Sequence, residues 1–222
     1  MGLFRGVESL RNDAADGSEA MALRVLESCD ATGYGPTETD VLAVLRAIVF
    51  PKNFSRAYLS RRGAESVQSF TLGLSPMATG GITADLRKRP CLARLLCQWY
   101  WAEGQDVPFS AIQVNGPDLH CVRHRDGNNS GPSCLKALGN FAGGNILLWT
   151  SDTGGCPVAF LRYQDARRVD PTQWVQFDGL QAHEVEATSG ERFSLVYFCF
   201  AAVPEEPGAW AYAASLGFGV PD

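Results

Sequence analysis

The apolar pattern of this chain changes its period near Gly104, and this change limits the fold to one in which helices precede strands. Before Gly104, apolar side chains recur at helical spacing. The stripe over 41–49 predicts a helix that Thr37 or Thr39 caps and that ends before Pro51. After Gly104, short apolar runs alternate with turn residues, which is typical of a β-sheet.

Two further helices and one loop complete the prediction for the first half. A stripe over 92–100 predicts a helix that begins at Pro90, a residue favoured in a first turn, and ends at Gly104. A third helix is predicted over about 17–29. The stretch 70–82 is rich in glycine and predicts an extended loop.

Eight short strands are predicted in the second half, and their regular spacing is typical of a sandwich or a barrel. The fold class is therefore α+β, with an antiparallel β region and the N-terminal helices packed on one of its faces. The predicted strands cover 109–115, 119–124, 133–139, 145–150, 157–163, 173–177, 182–187 and 192–201.

The chain is expected to form a single domain, because it has 222 residues and no segment that reads as a long linker. Within 1–222 we predict a mainly helical support over 1–104, a β core over 105–203 and a C-terminal tail over 204–222.

The charge balance excludes a general attraction to nucleic acid or to an anionic membrane, since 19 Lys and Arg face 24 Asp and Glu, a net charge of −5. No apolar stretch approaches the length of a membrane helix, and Met1–Asp16 lacks the apolar core of a signal peptide. We therefore expect a cytoplasmic or nuclear protein without a membrane partner. Its seven cysteines form no C-x-x-C pair and are expected to be reduced.

A candidate metal site lies in the second half. His124 and Asp126 are two residues apart, so on a strand their side chains point to the same face. His183 lies on another predicted strand. Two histidines and one carboxylate suit Fe(II) and leave coordination positions open. The alternative is that His124 and Asp126 form an ordinary hydrogen-bonded pair at a strand end.

A candidate anion site follows His183. Arg192 begins an otherwise apolar strand, and Ser194 lies on the same face. A buried arginine needs an anion, and its planar fork suits a carboxylate, to which the Ser194 hydroxyl adds a donor. The alternative is a surface salt bridge from Arg192 to one of three glutamates, namely Glu184, Glu186 and Glu191.

Taken together, His124, Asp126, His183, Arg192 and Ser194 resemble the Fe(II)/2-oxoglutarate-dependent dioxygenase superfamily over about 109–201. The resemblance implies a double-stranded β-helix (jelly-roll or cupin-like) in which the first three residues hold iron. Arg192 and Ser194 would then bind the distal carboxylate of 2-oxoglutarate. It also implies an oxidoreductase that oxidises a C–H bond of its substrate with O₂, while 2-oxoglutarate loses CO₂ to give succinate; ascorbate is a possible reductant.

Other residues fit the same resemblance less specifically. The run 141–146 is similar to a Phe-x-Gly-Gly-x-Leu strand entry in prolyl-hydroxylase-like members, with Ile in place of Leu. Gln113 and Asn115 would share one face and line the cavity near 2-oxoglutarate, or else lie on the outer face of their strand. Lys136 either lines the cavity or extends to solvent.

The segment 124–133 is similar to the TET/JBP branch, whose members oxidise the 5-methyl group of pyrimidines in nucleic acid. The chain departs from that branch because it lacks the cysteine-rich zinc region and is acidic. Basic residues stand out only at Arg56, Arg61, Arg62 and 87–89. The aromatic residues 99–101 and Trp174 are interpreted as core rather than as a stacking pocket for a base.

Several functions therefore remain open at this point. A protein or peptide side chain, a small molecule and a 5-methylpyrimidine in nucleic acid are all candidate substrates. The alternatives to a dioxygenase are a non-catalytic metal- or ligand-binding β-helix module and a cupin-like metal enzyme without 2-oxoglutarate. In that last case Arg192 would have no anion to bind.

Overall fold

A computed structural model describes residues 17–60, 63–117, 119–202 and 204–219. Three parts of the sequence predictions lie outside these ranges. They are the expected lack of a signal peptide at Met1–Asp16, the basic residues Arg61 and Arg62, and the last three residues of the predicted tail. The described helices are α1 (Gly17–Thr32), α2 (Glu38–Arg46), α3 (Ala84–Lys88), α4 (Pro90–Ala102) and α5 (Pro207–Ser215). The described strands are β1 (Lys52–Asn53), β2 (Val67–Gly73), β3 (Ala111–Asn115), β4 (Asn129–Leu138), β5 (Phe141–Gly143), β6 (Ile146–Leu148), β7 (Arg167–Val169), β8 (Val175–Asp178), β9 (His183–Val185), β10 (Thr188–Gly190) and β11 (Phe193–Phe200).

The ends of the predicted helices follow local capping chemistry. Thr37 caps α2: its hydroxyl accepts from the amide of Asp40, and the Asp40 carboxylate accepts from the amide of Thr37. Pro90 lies in the first turn of α4, where its missing amide hydrogen costs nothing. The predictions of helices over 41–49, 90–104 and 17–29 are confirmed within a few residues.

Antiparallel sheets form the second half and enclose one interior. The larger sheet has the strand order β1-β2-β3-β11-β4-β8, and a smaller one has the order β7-β6-β9. A third pair, β5 and β10, lies beside them. Apolar side chains from the larger and smaller sheets pack together between the two sheets, among them Leu135, Val175, Ile146, Leu148 and Val185. The described fold is thus mixed, with helices and antiparallel sheets, as the α+β prediction required.

The helices bury their apolar stripes on one face of the larger sheet. Leu92, Leu95 and Leu96 of α4 are fully buried in the cluster that joins helices to sheet. Tyr100 stacks on Tyr197 of β11 with ring centroids 4.3 Å apart, and Trp99 lies 5.0 Å from Trp174. The interpretation as core is confirmed for Trp99 and Tyr100, and Trp174 packs against them, whereas Trp101 is 37% exposed.

The expectation of a loop over 70–82 is wrong for its first part, because Val67–Gly73 forms β2 inside the larger sheet. Gly73 was interpreted as a loop residue, yet it ends the strand with φ +124°, where a Cβ would lie 2.3 Å from the Ser110 carbonyl oxygen. Glycine is therefore required there by a close backbone approach rather than by an irregular chain.

Two predicted strands are also wrong. The stretch 157–163 forms 3₁₀ turns at Val158–Phe160 and Tyr163–Asp165, because Val158 and Leu161 pack around the buried Trp149 instead of pairing along a sheet. The stretch 119–124 contains only isolated bridges, Ser60 with Cys121 and His124 with His183.

The predicted tail over 204–222 contains α5, whose Ala209 and Ala213 are buried against the helical layer. Within the described residues, none of the seven cysteines forms a disulfide. Among the described helices, none combines the length and apolarity that crossing a bilayer requires.

Candidate metal centre

His124 and His183 face each other across an antiparallel bridge at the edge of the smaller sheet. Each amide donates to the other residue's carbonyl oxygen at 3.0 Å. The amide of Asp126 donates to the Gly179 carbonyl at 2.8 Å, which fixes the turn that follows His124. Backbone hydrogen bonds therefore bring together three side chains that are far apart in sequence.

The three side chains form a compact set of metal-ligating atoms, all within 4.8 Å of one another. His124 Nε2 lies 3.7 Å from Asp126 Oδ1, and His183 Nε2 lies 3.5 Å from Asp126 Oδ2. The His124 Nδ1 is 2.7 Å from the Val122 carbonyl oxygen, and the His183 Nδ1 is 2.9 Å from that of Gln181. Protons on both Nδ1 atoms leave both Nε2 lone pairs free for a metal ion.

The electrostatics of the cluster favour the protonation state that a metal ion requires. Burial first, and the neighbouring His183 second, lower the pKa of His124 to about 4. Burial alone would raise the pKa of Asp126, but His183, His124 and Arg56 together hold it below its usual value. A neutral His124 and an ionised Asp126 are the forms of these ligands that bind a divalent cation.

Asp152 connects the two ligand-bearing segments and was missed by the sequence analysis. Its carboxylate accepts two hydrogen bonds from Arg125, at 2.6 and 2.7 Å, and one from the amide of Ala182 at 2.8 Å. Arg125 lies between two candidate ligands, and Ala182 precedes the third. The Arg125 guanidinium holds the pKa of this buried carboxyl well below its usual range. The only sequence signal was an acidic residue at a glycine-containing turn, which is too common to be informative.

An inner pocket opens from the three ligands into the space between the sheets. Arg192 and Ser194 lie in its wall with apolar side chains, among them Leu135, Ile146, Phe177 and Val185. The side chain of Arg192 is buried, with 2% of the residue exposed, and its Nε and Nη2 have no hydrogen-bond partner among the described residues. Burial lowers the pKa of this guanidinium to about 10, so it remains charged at neutral pH.

The surface salt bridge considered for Arg192 is not formed, because each candidate glutamate pairs elsewhere. Glu184 binds Arg123 at 3.1 Å, Glu186 binds Arg168 at 2.8 Å, and Glu191 binds Arg46 at 2.6 Å. An unpaired, buried guanidinium fork beside a metal-ligand set fits a small carboxylate ligand that also reaches the metal.

Gly144 leaves space for the side chain of Arg192, which lines the inner pocket. It has φ +70°, and a Cβ at this position would lie 2.9 Å from both Cδ and Nε of Arg192. The preceding Gly143 ends β5 and lies against the Ala187 carbonyl. The Gly-Gly pair in 141–146 therefore shapes the wall around the arginine as well as turning the chain.

The sequence left open whether Gln113, Asn115 and Lys136 face the cavity, and the structure gives them different orientations. Asn115 lines the inner pocket, where its amide donates to Ser194 Oγ at 3.1 Å, and Gln113 donates to Asn115 Oδ1 at 3.3 Å. Lys136 points away from both, toward the helices, and pairs with Glu38 at 2.8 Å and Glu103 at 3.1 Å.

A second, more open pocket lies on the other side of Asp126, and we call it the outer pocket. It is lined by polar side chains and by a wall of three aromatic rings, Tyr58, Phe198 and Phe200. Asp126 and Arg56 line the inner pocket as well. The candidate metal centre thus lies where the two cavities meet.

Comparison with known proteins gives matches at the level of structure only. No family model matches the chain, and no curated protein matches it in sequence. Solved structures that resemble it include 2OG-Fe(II) oxygenases. One, an oxidoreductase of that family from Burkholderia pseudomallei, is 17% identical with a TM-score of 0.42, over 82% of this chain and 90% of that chain.

Two further structures are similar to the chain. A prolyl-4-hydroxylase from Pseudomonas putida is 18% identical with a TM-score of 0.34, over 82% of this chain and 84% of that chain. NgTET1 in complex with 5mC DNA is 18% identical with a TM-score of 0.41, over 62% of each chain. The chain therefore spans somewhat less than two thirds of NgTET1.

Proposed function

We propose that this protein is an Fe(II)- and 2-oxoglutarate-dependent dioxygenase with a double-stranded β-helix core. It would oxidise a C–H bond of its substrate while 2-oxoglutarate is converted to succinate and CO₂. The observation that carries the proposal is the buried Arg192 guanidinium, which has unused donors in the same cavity as His124, Asp126 and His183.

The chain's own residues would hold the two cofactors. His124, Asp126 and His183 would bind Fe(II) through two Nε2 atoms and one carboxylate, which leaves positions open for the cosubstrate and O₂. The bound iron supplies the oxygen-activating chemistry. Arg192 would bind the distal carboxylate of 2-oxoglutarate through its free Nε and Nη2, while Ser194, held by Asn115, adds a hydroxyl donor.

The apolar wall of the inner pocket has a separate role. Leu135, Ile146 and Phe177 line the space between Arg192 and the ligands and give it a largely apolar wall. In such an environment the charge-assisted hydrogen bonds to a carboxylate are stronger than they are in water. Such a wall would also limit the access of water, which protects the reacting centre from side reactions.

The test is a binding measurement that requires no knowledge of the substrate. Calorimetric titration of 2-oxoglutarate into Mn(II)-loaded protein would compare wild type with Arg192→Met and Arg46→Met. Arg46 is the matched control, because it is an exposed arginine that pairs with Glu191, next to Arg192 in sequence. We expect Arg192→Met to raise the Kd at least about tenfold, since a charge-assisted fork is lost, and Arg46→Met to leave it unchanged.

Two outcomes would contradict the proposal. An equal Kd in wild type and Arg192→Met would remove the cosubstrate assignment. Tight 2-oxoglutarate binding without Fe(II)- and O₂-dependent succinate formation, with or without ascorbate, would instead support a non-catalytic ligand-binding module.

A further inference from the structure

A second arginine beside the candidate metal centre has unused hydrogen-bond donors. Arg56 precedes the 3₁₀ turn Ala57–Leu59 and lines both the inner and the outer pocket. Among the described residues, its buried Nε has no partner, and its Nη1 makes one long hydrogen bond, 3.4 Å, to Gln113 Oε1. Within the described residues, no carboxylate lies within salt-bridge distance of Arg56.

The Gln113 oxygen is a weak partner for this cation, because it already accepts a shorter hydrogen bond from Thr71 Oγ1 at 2.8 Å. Gln113 is itself fixed, since its amide nitrogen donates to the Phe70 carbonyl at 3.1 Å. The amide therefore orients Arg56 without neutralising it, and the guanidinium edge that carries Nε remains available.

The other charged side chains that line the outer pocket either have an ion-pair partner or belong to the candidate metal centre. Arg125 forms a two-pronged pair with Asp152, so its charge is compensated. Of the described residues that line the pocket, the one carboxylate is Asp126, which belongs to the candidate metal centre. Arg56 is attracted to Asp126 at a distance but pairs directly with no carboxylate of the described residues, and a partly buried cation without a close anion is unfavourable.

We propose that the outer pocket holds the oxidisable substrate, and that Arg56 binds an oxyanion of this substrate, a carboxylate or a phosphate. Nε and Nη2 form one edge of the guanidinium, and their N–H groups can donate to both oxygens of such an anion. The inference rests on the proposed function, because the pocket meets the metal centre at Asp126.

The aromatic wall would contact the carbon body of the substrate. The Phe198 and Phe200 rings pack edge-to-face with centroids 4.9 Å apart, and Tyr58 has 71% of its surface exposed at the rim. A flat or apolar body against these rings, with its oxyanion on Arg56, would be held at two points beside the metal ligands.

Arginine side-chain NMR tests this inference directly. The Nε–H signals of Arg56 and Arg192, assigned with Arg56→Lys and Arg192→Lys, would be followed in Zn(II)-loaded protein, first on addition of 2-oxoglutarate and then of each probe. The anionic probes are 3-phenylpropionate, thymidine 5′-monophosphate and a short single-stranded DNA. The uncharged controls are 3-phenylpropionamide and thymidine.

We expect a saturable shift of the Arg56 signal with an anionic probe and none with its uncharged counterpart. The probe that saturates at the lowest concentration identifies the source of the oxyanion, a small acid, a nucleotide or a polynucleotide. Arg56→Met should raise the Kd for that probe at least about tenfold. Lys52→Met removes one exposed positive charge from the neighbouring strand and should not change it.

The two signals separate the two proposals. If Arg192 responds to 2-oxoglutarate but Arg56 responds to no anion, or equally to the uncharged controls, the inference about the outer pocket is wrong and the proposed function stands. If 2-oxoglutarate alone saturates the Arg56 signal, Arg56 belongs to the cosubstrate site and the inference is also wrong. If Arg192 does not respond to 2-oxoglutarate, the proposed function itself fails.

Discussion

At the scale of single residues, the proposed binding of 2-oxoglutarate by Arg192 has a cost in the stability of the cosubstrate-free protein. Its buried Nε and Nη2 lack partners in the described part of the chain, which costs about 1–3 kcal/mol for a desolvated group. We therefore expect Arg192→Met to increase the free energy of unfolding of the cosubstrate-free protein. Denaturant unfolding of wild type and variant measures this, and a clear loss of stability would show that Arg192 has a structural partner.

A substitution at Gly144 tests whether Arg192 needs the space beside it in order to bind 2-oxoglutarate. Gly144→Ala places a Cβ 2.9 Å from Arg192, whereas Gly154→Ala meets nothing within 4 Å at a similar φ of +79°. Both variants carry the strain of a left-handed backbone, about 1–2 kcal/mol. We expect only Gly144→Ala also to weaken 2-oxoglutarate binding, as measured by calorimetry. Equal effects of both variants would contradict this role.

Asp152 is expected to position the metal ligands, because its carboxylate holds both Arg125 and the amide of Ala182. Asp152→Asn should weaken Fe(II) or Mn(II) binding by about 10–100-fold, as losses of supporting hydrogen bonds do. Asp165→Asn is the control, since it breaks an exposed arginine pair at Arg162. Unchanged metal affinity in a folded Asp152→Asn protein would refute the assignment.

The residues of the metal centre were predictable to different degrees. The His124 and Asp126 spacing and the spacing from His183 to Arg192 are visible in the sequence, although His124 forms only an isolated bridge and Asp126 lies beyond it outside any strand. Asp152 and Arg56 were not identified as site residues, since their roles arise from contacts across loops. A single acidic or basic residue in a loop carries no periodic signal.

At the scale of elements, β4 shows how alternation divides functions between the two faces of one sheet. Leu135 points into the inner pocket, and the next residue, Lys136, points to the helices. The opposite charges of Glu38 and Glu103 raise the pKa of Lys136 despite its burial. Lys136 thus serves the attachment of α2 and α4 to the sheet.

Lys136→Met should therefore lower stability by about 1 kcal/mol or less, because Glu38 is half exposed and the pair is screened by solvent. The affinity for 2-oxoglutarate should remain that of wild type. Thermal unfolding and calorimetry on the same samples measure both effects. A reduced 2-oxoglutarate affinity would return Lys136 to the cavity.

The strand prediction is wrong where an apolar pattern reflects burial of side chains rather than pairing with a neighbouring strand. Val158 and Leu161 gave a strand-like pattern, but they pack on Trp149 in turns. The predicted loop over 70–82 begins inside β2, which pairs with β3 from Ser69 to Gly73. Periodicity reports which side chains are buried, and it does not report which strand is the neighbour.

At the scale of the whole molecule, the helices and the site occupy opposite faces of the larger sheet. The helical layer buries one face, and the other face forms the inner pocket together with the smaller sheet. Fold class and helix positions were predictable from the change of period near Gly104. The two cavities that meet at Asp126 were not, because they depend on how the sheets close on each other.

The central claim is that one cavity holds Fe(II) and 2-oxoglutarate together. Its most direct test is the anaerobic absorption spectrum of the protein with both added, since chelation of Fe(II) by 2-oxoglutarate gives a weak visible charge-transfer band. We expect the band in wild type, its loss in His124→Ala, Asp126→Ala and His183→Ala, and a higher 2-oxoglutarate requirement in Arg192→Met. No band in folded, iron-loaded wild-type protein would contradict the account.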